Sequence, residues 1–207
     1  MNIKNKKKLS DAYETIVKHI KYAGYNTDTD NANLLNTAER ASSALQELIQ
    51  PKDEIISEIK KMLSKVFPVQ YQGMVISEGI KTFGLCPHHL LPVIYTVTLA
   101  YIPNSIQTKV IGISKLARIA KISAKRPILQ EQYTCDLANV FYTSNNGELP
   151  GIDTLGSAVY VEGMHTCSTI RGVNSHESTI ITKELRGVFL ENSATSMEFE
   201  TIIGRRR

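Results

Sequence analysis

The sequence predicts an α+β protein: a helical N-terminal region, residues 1–68, precedes a body, residues 69–207, of order β-β-α-α-β-β. Three observations predict it. Apolar residues recur at helical spacing as far as Pro68, then alternate with period two; helical spacing returns, and alternation follows again before a short closing helix. Breakers stand where these patterns change, at Pro51, Pro68, Pro103, Pro127 and Gly147. Composition is ordinary, with 42% hydrophobic and 21% charged residues among 207, which excludes disordered and collagen-like classes.

The elements follow in order. Ser10 is a candidate cap for a helix with Ala12, Ile16, Val17 and Ile20 on one side, ended by Gly24 and the polar stretch 26–31. Leu34, Leu35, Ala38, Ala41, Leu45, Leu48 and Ile49 make a second amphipathic pattern, stopped by Pro51. Pro51 opens a third helix carrying Ile55, Ile56, Ile59, Met62, Leu63 and Val66, closed by Pro68. Residues 75–85 read as a strand, and Val93, Tyr95, Val97, Leu99 and Tyr101 alternate along a second that Pro103 ends. Ser114 is placed to cap a helix over 115–125, and Pro127 to open another bearing Leu129, Tyr133, Leu137, Val140 and Phe141. Asn145-Asn146-Gly147 signals a turn. Strands over 157–170 and 177–189 and a short helix over 193–203 complete the chain.

Charge narrows the function classes. The formal net charge of +4 is outnumbered by seven terminal cations, Lys4, Lys6, Lys7, Lys8, Arg205, Arg206 and Arg207, so the rest of the chain is net negative. No nucleic-acid-binding face follows from such a balance, and no nucleic-acid partner is expected. Three cysteines cannot all pair within one chain, which fits a reducing compartment. No apolar run follows the basic N-terminus, and the longest one, residues 90–95 with a proline inside it, is too short for a bilayer. A cytoplasmic protein without a membrane partner is expected.

Four short segments carry chemistry. Cys86-Pro87-His88-His89 offers a thiolate and an imidazole at a spacing that can chelate one metal ion, and zinc accepts both ligand types. His165 and Cys167 share a face if the strand there runs unbroken, and Thr169 and Arg171 then join it. Cys86, His89 and Cys167 are three good ligands, with His88 and His165 as candidates for a fourth or for proton transfer. Cys135, flanked by Tyr133 and Leu137 at the next positions but one, reads as structural. Ser114, Lys115 and Arg118 stand on the first turns of a helix, where N–H groups favour anions. Gln130-Glu131 pairs an amide with a carboxylate, which suits the donor edge of a purine such as guanine.

Together these segments resemble the GTP cyclohydrolase I family. Its Cys-x-His-His is matched by Cys86-Pro87-His88-His89, and its Gly-hydrophobic-Ser-Lys-x-x-Arg by Gly112-Ile113-Ser114-Lys115-Leu116-Ala117-Arg118. Its Arg-Pro-x-x-Gln-Glu is matched by residues 126–131, and its His-x-Cys-x-x-x-Arg-Gly by residues 165–172. The segment Asn36-Thr37-Ala38-Glu39-Arg40 looks like the family's Thr-Pro-x-Arg. Pro87, Gly84, Ala38 and Thr169 depart from the family pattern.

The resemblance implies the tunnelling fold, which has the β-β-α-α-β-β order. It implies zinc on Cys86, His89 and Cys167, with His88 and His165 as acid/base groups. Gln130 and Glu131 would bind guanine, Lys115, Arg118 and Arg171 the triphosphate, and Ser114 would line the nucleotide site. Arg40 would reach triphosphate from a neighbouring subunit of a homodecamer made of two pentameric rings. The implied reaction is hydrolytic opening of the imidazole ring of GTP, with release of formate and formation of 7,8-dihydroneopterin triphosphate, a precursor in pterin and tetrahydrofolate biosynthesis. A paralogue acting on a related purine nucleotide, a paralogue without activity and a zinc-stabilised nucleic-acid-binding module are the competing readings.

Overall fold

A computed structural model describes residues 3–104, 109–142 and 149–204, with the side chains of residues 3–6 left aside. The expected turn at Asn145-Asn146-Gly147 and the terminal Arg205, Arg206 and Arg207 lie outside the described residues. The chain divides into two compact units, Met1–Pro51 and Lys52–Arg207. The boundary expected at residue 68 marks the change of period; the compact division falls at Pro51.

The first unit is helical: α1 (Ile3–Tyr22), α2 (Asp28–Asn33) and α3 (Thr37–Leu48). The expected cap Ser10 is an interior residue of α1, because lysines are good helix formers and nothing before Ser10 breaks the turn. The stretch 26–31, expected to be irregular, contains most of α2. Thr27 and Asp30 form a capping box there, each side chain bonding the other's backbone N–H. Asn36, left-handed at φ 60°, separates α2 from α3.

The second unit opens with α4 (Lys52–Leu63), whose Ile55 and Ile59 are buried, and which packs on α5 (Ile113–Ser123). Strand β1 (Val66–Pro68) pairs antiparallel with β4 (Lys109–Ile111) in a small sheet that the sequence reading did not foresee, since three residues are too few for alternation to register. The main sheet is antiparallel, in the order β2 (Val75–Leu85), β3 (Pro92–Pro103), β5 (Thr154–His165), β6 (Ile180–Gly187). Helices α5 and α6 (Gln130–Val140) lie between its second and third strands in sequence, so the expected β-β-α-α-β-β order holds.

Alternation along β3 assigns its two faces. Val93, Tyr95, Val97, Leu99 and Tyr101 are all buried in the main core with Leu116 and Ile119 of α5 and Tyr133, Leu137 and Val140 of α6. On the other face Ala100 and Ala158 pack with Phe189 of α8 (Val188–Glu191) and Phe199 of α9 (Ser193–Gly204). The Tyr133 hydroxyl donates to the Ala120 carbonyl at 2.8 Å, which joins α6 to α5, and the Ser157 hydroxyl donates to the Ala138 carbonyl at 2.7 Å, which joins β5 to α6.

Several expected boundaries move. Gly112, not Ser114, is the N-cap of α5, so Ser114 sits inside the first turn. The second helix starts at Gln130, not Pro127. Residues before it run beside β2, where Pro127 bridges Leu85 and the Ile128 N–H donates to the Leu85 carbonyl. The strand expected over 157–170 stops at His165, and Thr166–Thr169 form a one-turn helix, α7. The strand expected over 177–189 is shorter, and Phe189 belongs to α8.

Candidate metal centre and active site

Cys86 follows the last residue of β2 and is buried. The β2–β3 connection folds back tightly: the Cys86 N–H donates to the Leu91 carbonyl and the Leu90 N–H to the Cys86 carbonyl, both at 2.9 Å. Leu90 takes a left-handed φ of 53° to close it. This turn brings His89 back over Cys86, with Nδ1 3.7 Å from Sγ.

On the other side of β3, β5 delivers His165 opposite Val93, and α7 turns the chain so that Cys167 faces Cys86. Their sulfurs lie 3.7 Å apart. Cys86, His89 and Cys167 thus form one group whose ligand atoms all lie within 4.8 Å of one another. His165 and Cys167 do not share a strand face as expected; the helical turn between them sends the thiol to the metal group and leaves the imidazole beside it.

The spacing fits zinc. Two thiolates on one tetrahedral zinc at about 2.3 Å each stand about 3.8 Å apart, and a thiolate and an imidazole nitrogen about 3.5 Å; the observed Sγ–Sγ and Sγ–Nδ1 separations are both 3.7 Å. Three protein ligands are the number that catalytic rather than structural zinc sites use, and a zinc ion held by them would keep a position for water. Burial raises the Cys167 thiol above its ordinary pKa, Cys86 adds to the rise, and the Arg171 charge opposes it. A bound cation reverses that balance, since coordination requires thiolates.

His165 stands at the rim of this group. Its Nε2 lies 2.9 Å from Gln130 Oε1, and its ring meets the Tyr95 ring edge-on at 6.3 Å. Burial pulls its pKa down, and the Glu131 charge pulls partly back. Glu131 itself is exposed on the first turn of α6. Gln130 is buried, and its amide is wholly engaged inside the protein. His88 is exposed, its ring 6.3 Å from that of His89. Arg171 is exposed just past α7.

Two groups of expected residues belong to other elements. Ser114, Lys115 and Arg118 lie together on α5, away from its buried stripe of Leu116, Ile119 and Ala120. No hydrogen bond or ion pair among the described residues ties them to the Cys–His group. Arg40 belongs to α3 of the first unit, exposed, where its guanidinium donates to the Leu35 carbonyl at 2.6 Å. Cys135 is half-buried on α6 beside Arg186 and Asn139, consistent with a structural role.

The sequence profile of the GTP cyclohydrolase I family matches residues 12–204. The chain belongs to the GTP cyclohydrolase I family. Among curated relatives, GTP cyclohydrolase 1 1 of Pseudomonas syringae pv. tomato is 37% identical over 178 residues, covering 86% of this chain and 89% of that protein. GTP cyclohydrolase 1 of Campylobacter curvus is 36% identical over 196 residues, covering 94% and 96%. That of Methylococcus capsulatus is 35% identical over 179 residues, covering 86% and 90%. The mixed antiparallel sheet and helices agree with the family's tunnelling fold. No described helix is long and apolar enough to cross a membrane.

Residue-by-residue reading of the sequence missed Tyr95, Gly163, Thr134 and Thr182, which surround Gln130 and His165. Gly163 carried the one usable signal, an isolated glycine inside a strand, which often marks close approach of another group. A Cβ at Gly163 would stand 2.0 Å from Gln130 Oε1.

Proposed function

We propose that this family member is a zinc-dependent GTP cyclohydrolase I: it opens the imidazole ring of GTP at C8, releases formate and forms 7,8-dihydroneopterin triphosphate. The observation that carries the reading is the Cys86–His89–Cys167 group at zinc spacing with His165 beside it and Glu131 near enough to influence that imidazole. When bound there, zinc lowers the pKa of water toward neutrality and so supplies a nucleophile strong enough for C8.

The chain's own groups do the rest. Glu131 accepts hydrogen bonds from the donor edge of guanine; Gln130, expected to share that role, is buried with its amide oxygen on His165 and takes a different one. His165 protonates N7, which makes C8 more electrophilic, and His88 exchanges protons in the second hydrolysis that frees formate. Lys115, Arg118 and Arg171 hold the triphosphate, with Ser114 lining the site. Arg40 adds a cation from a neighbouring subunit. That last role belongs with a homodecamer of two pentameric rings, in which the helical region 1–68 extends the catalytic domain 69–207. Among the described residues β6 pairs only with β5, and β2, apart from the bridge of its last residue Leu85 to Pro127, only with β3, so both outer strands keep a backbone edge that a second copy can take up. A cytoplasmic enzyme of pterin and tetrahydrofolate biosynthesis fits this chemistry.

The test is incubation of the zinc-loaded protein with GTP. Formate and a pterin, fluorescent after oxidation, are expected in equal amounts. Zinc-replete protein that yields neither from GTP overturns the reading, and turnover of another purine nucleotide in its place favours the paralogue.

A further inference from the structure

We infer that Gln130 is a positioning residue for His165: its amide keeps the Nε2 of His165 protonated, so that the proton His165 exchanges with substrate is carried on Nδ1. The inference rests on His165 acting as the acid/base group of the proposed reaction, and it goes beyond that assignment by naming the nitrogen and the residue that selects it.

The Gln130 side chain is 1% exposed and meets four groups. Its Nε2 lies 3.2 Å from the Val161 carbonyl, 2.9 Å from the Ile180 carbonyl and 3.1 Å from Thr182 Oγ1. Carbonyl oxygens only accept, so the amide nitrogen must face Val161 and Ile180. Turning the amide over would set an oxygen against two backbone oxygens in a buried site and leave both carbonyls without this donor. Oε1 therefore faces His165 Nε2, and since Oε1 only accepts, Nε2 must donate at 2.9 Å.

A second chain of bonds gives the same direction. The Thr134 hydroxyl donates to the Gln130 carbonyl at 2.8 Å, so its hydrogen is committed. Thr182 Oγ1, 2.6 Å away, must then donate to Thr134 Oγ1 and turn only lone pairs toward the Gln130 amide, whose two hydrogens are shared among Ile180, Thr182 and Val161. Every hydrogen from His165 to the Gln130 backbone carbonyl has one possible direction. The amide's seat is also guarded by shape, because Gly163 leaves room for Oε1 that any Cβ would remove. Neutral imidazole with Nε2–H, and imidazolium with both N–H groups, satisfy Oε1 equally. The tautomer with hydrogen on Nδ1 alone sets two acceptors face to face.

The measurement uses the full zinc-loaded chain with nitrogen-15-labelled histidine, observed by solid-state NMR without substrate. The chain has five histidines, and His165→Ala identifies the signals of interest. Neutral His165 is expected to show a protonated Nε2 and an unprotonated Nδ1; the opposite tautomer in the wild-type protein overturns the inference. For Gln130→Met, close in shape but without the acceptor, both tautomers are expected, with kcat lower by about 100-fold and KM for GTP within about threefold. A KM increase at unchanged kcat would instead mean that the amide reads guanine, and would also overturn it. Should Gln130→Met fail to fold, the wild-type tautomer decides alone. Absence of formate from wild-type protein and GTP would defeat the functional reading and leave the tautomer result standing by itself.

Discussion

Cys167 and His165 are two residues apart, and the roles proposed for them are separable by single substitutions. Cys167→Ser should bind at least tenfold less zinc under equal loading, whereas His165→Ala should keep its zinc and lose turnover by about 100-fold. Metal analysis beside formate release checks both, and equal zinc loss in the two variants would contradict the division. Gly84 supports a different expectation. The Tyr95 ring lies between Gly84 on β2 and Gly163 on β5, and a Cβ at Gly84 would stand 2.5 Å from its Cε2. Gly84→Ser should therefore cost about 1–3 kcal/mol, read as a lowered Tm. Gly163→Ala should displace the Gln130 amide and lower kcat more than it lowers stability. At this scale the Cys86–His89–Cys167 group was legible as a candidate for a metal, because Cys and His are ligands that zinc accepts whatever their separation along the chain. Tyr95, Thr134 and Thr182 were not, because one tyrosine or threonine in an alternating strand or a helix looks like any other until its neighbours are known.

At the scale of elements, the long periodic segments were legible and their ends were not. β3 was read from its alternation, and its core face is buried as expected. The end of β5 was missed because Thr166, Cys167, Ser168 and Thr169 continue an acceptable strand composition. What stops the strand is tertiary: Cys167 must turn to face Cys86, and the Thr166 hydroxyl donates to the Pro92 carbonyl at 2.6 Å at the same corner. The connection into α6 has a comparable lock. Arg126 pairs with Asp136, which is almost wholly buried, and Gln132 donates to the same carboxylate at 2.7 Å. Arg126→Ala leaves that carboxylate buried without its cation and should destabilise the protein by about 3 kcal/mol. Denaturant unfolding measures it. An unchanged midpoint would show that the carboxylate is satisfied without the guanidinium.

At the scale of the whole molecule, metal and assembly should both be visible as stability and as complementation. A ligand that binds only the folded state at 100 times its Kd adds about 2.7 kcal/mol, so chelation should lower Tm by several degrees and zinc should restore it. Thermal denaturation with and without chelator checks this, and identical curves would argue against a zinc site. If Arg40 serves a neighbour's site, Arg40→Ala and Cys167→Ser protomers should each be poorly active alone and regain formate release when mixed before assembly. Mixtures no better than the average of the two would place Arg40 in its own subunit's site or in none.

By itself the sequence determined the order of elements, the apolar face of each long one, and the residue types able to hold zinc, protons and phosphate. These are local properties: spacing along the chain sets periodicity, and side-chain chemistry sets which atoms can donate, accept or ligate. Only the tertiary structure decided that the Cys86 and Cys167 sulfurs stand 3.7 Å apart, that α7 separates Cys167 from His165, and that Gln130 faces inward to the imidazole. Those outcomes depend on antiparallel register across three strands, and register is a choice among pairings that no one segment encodes.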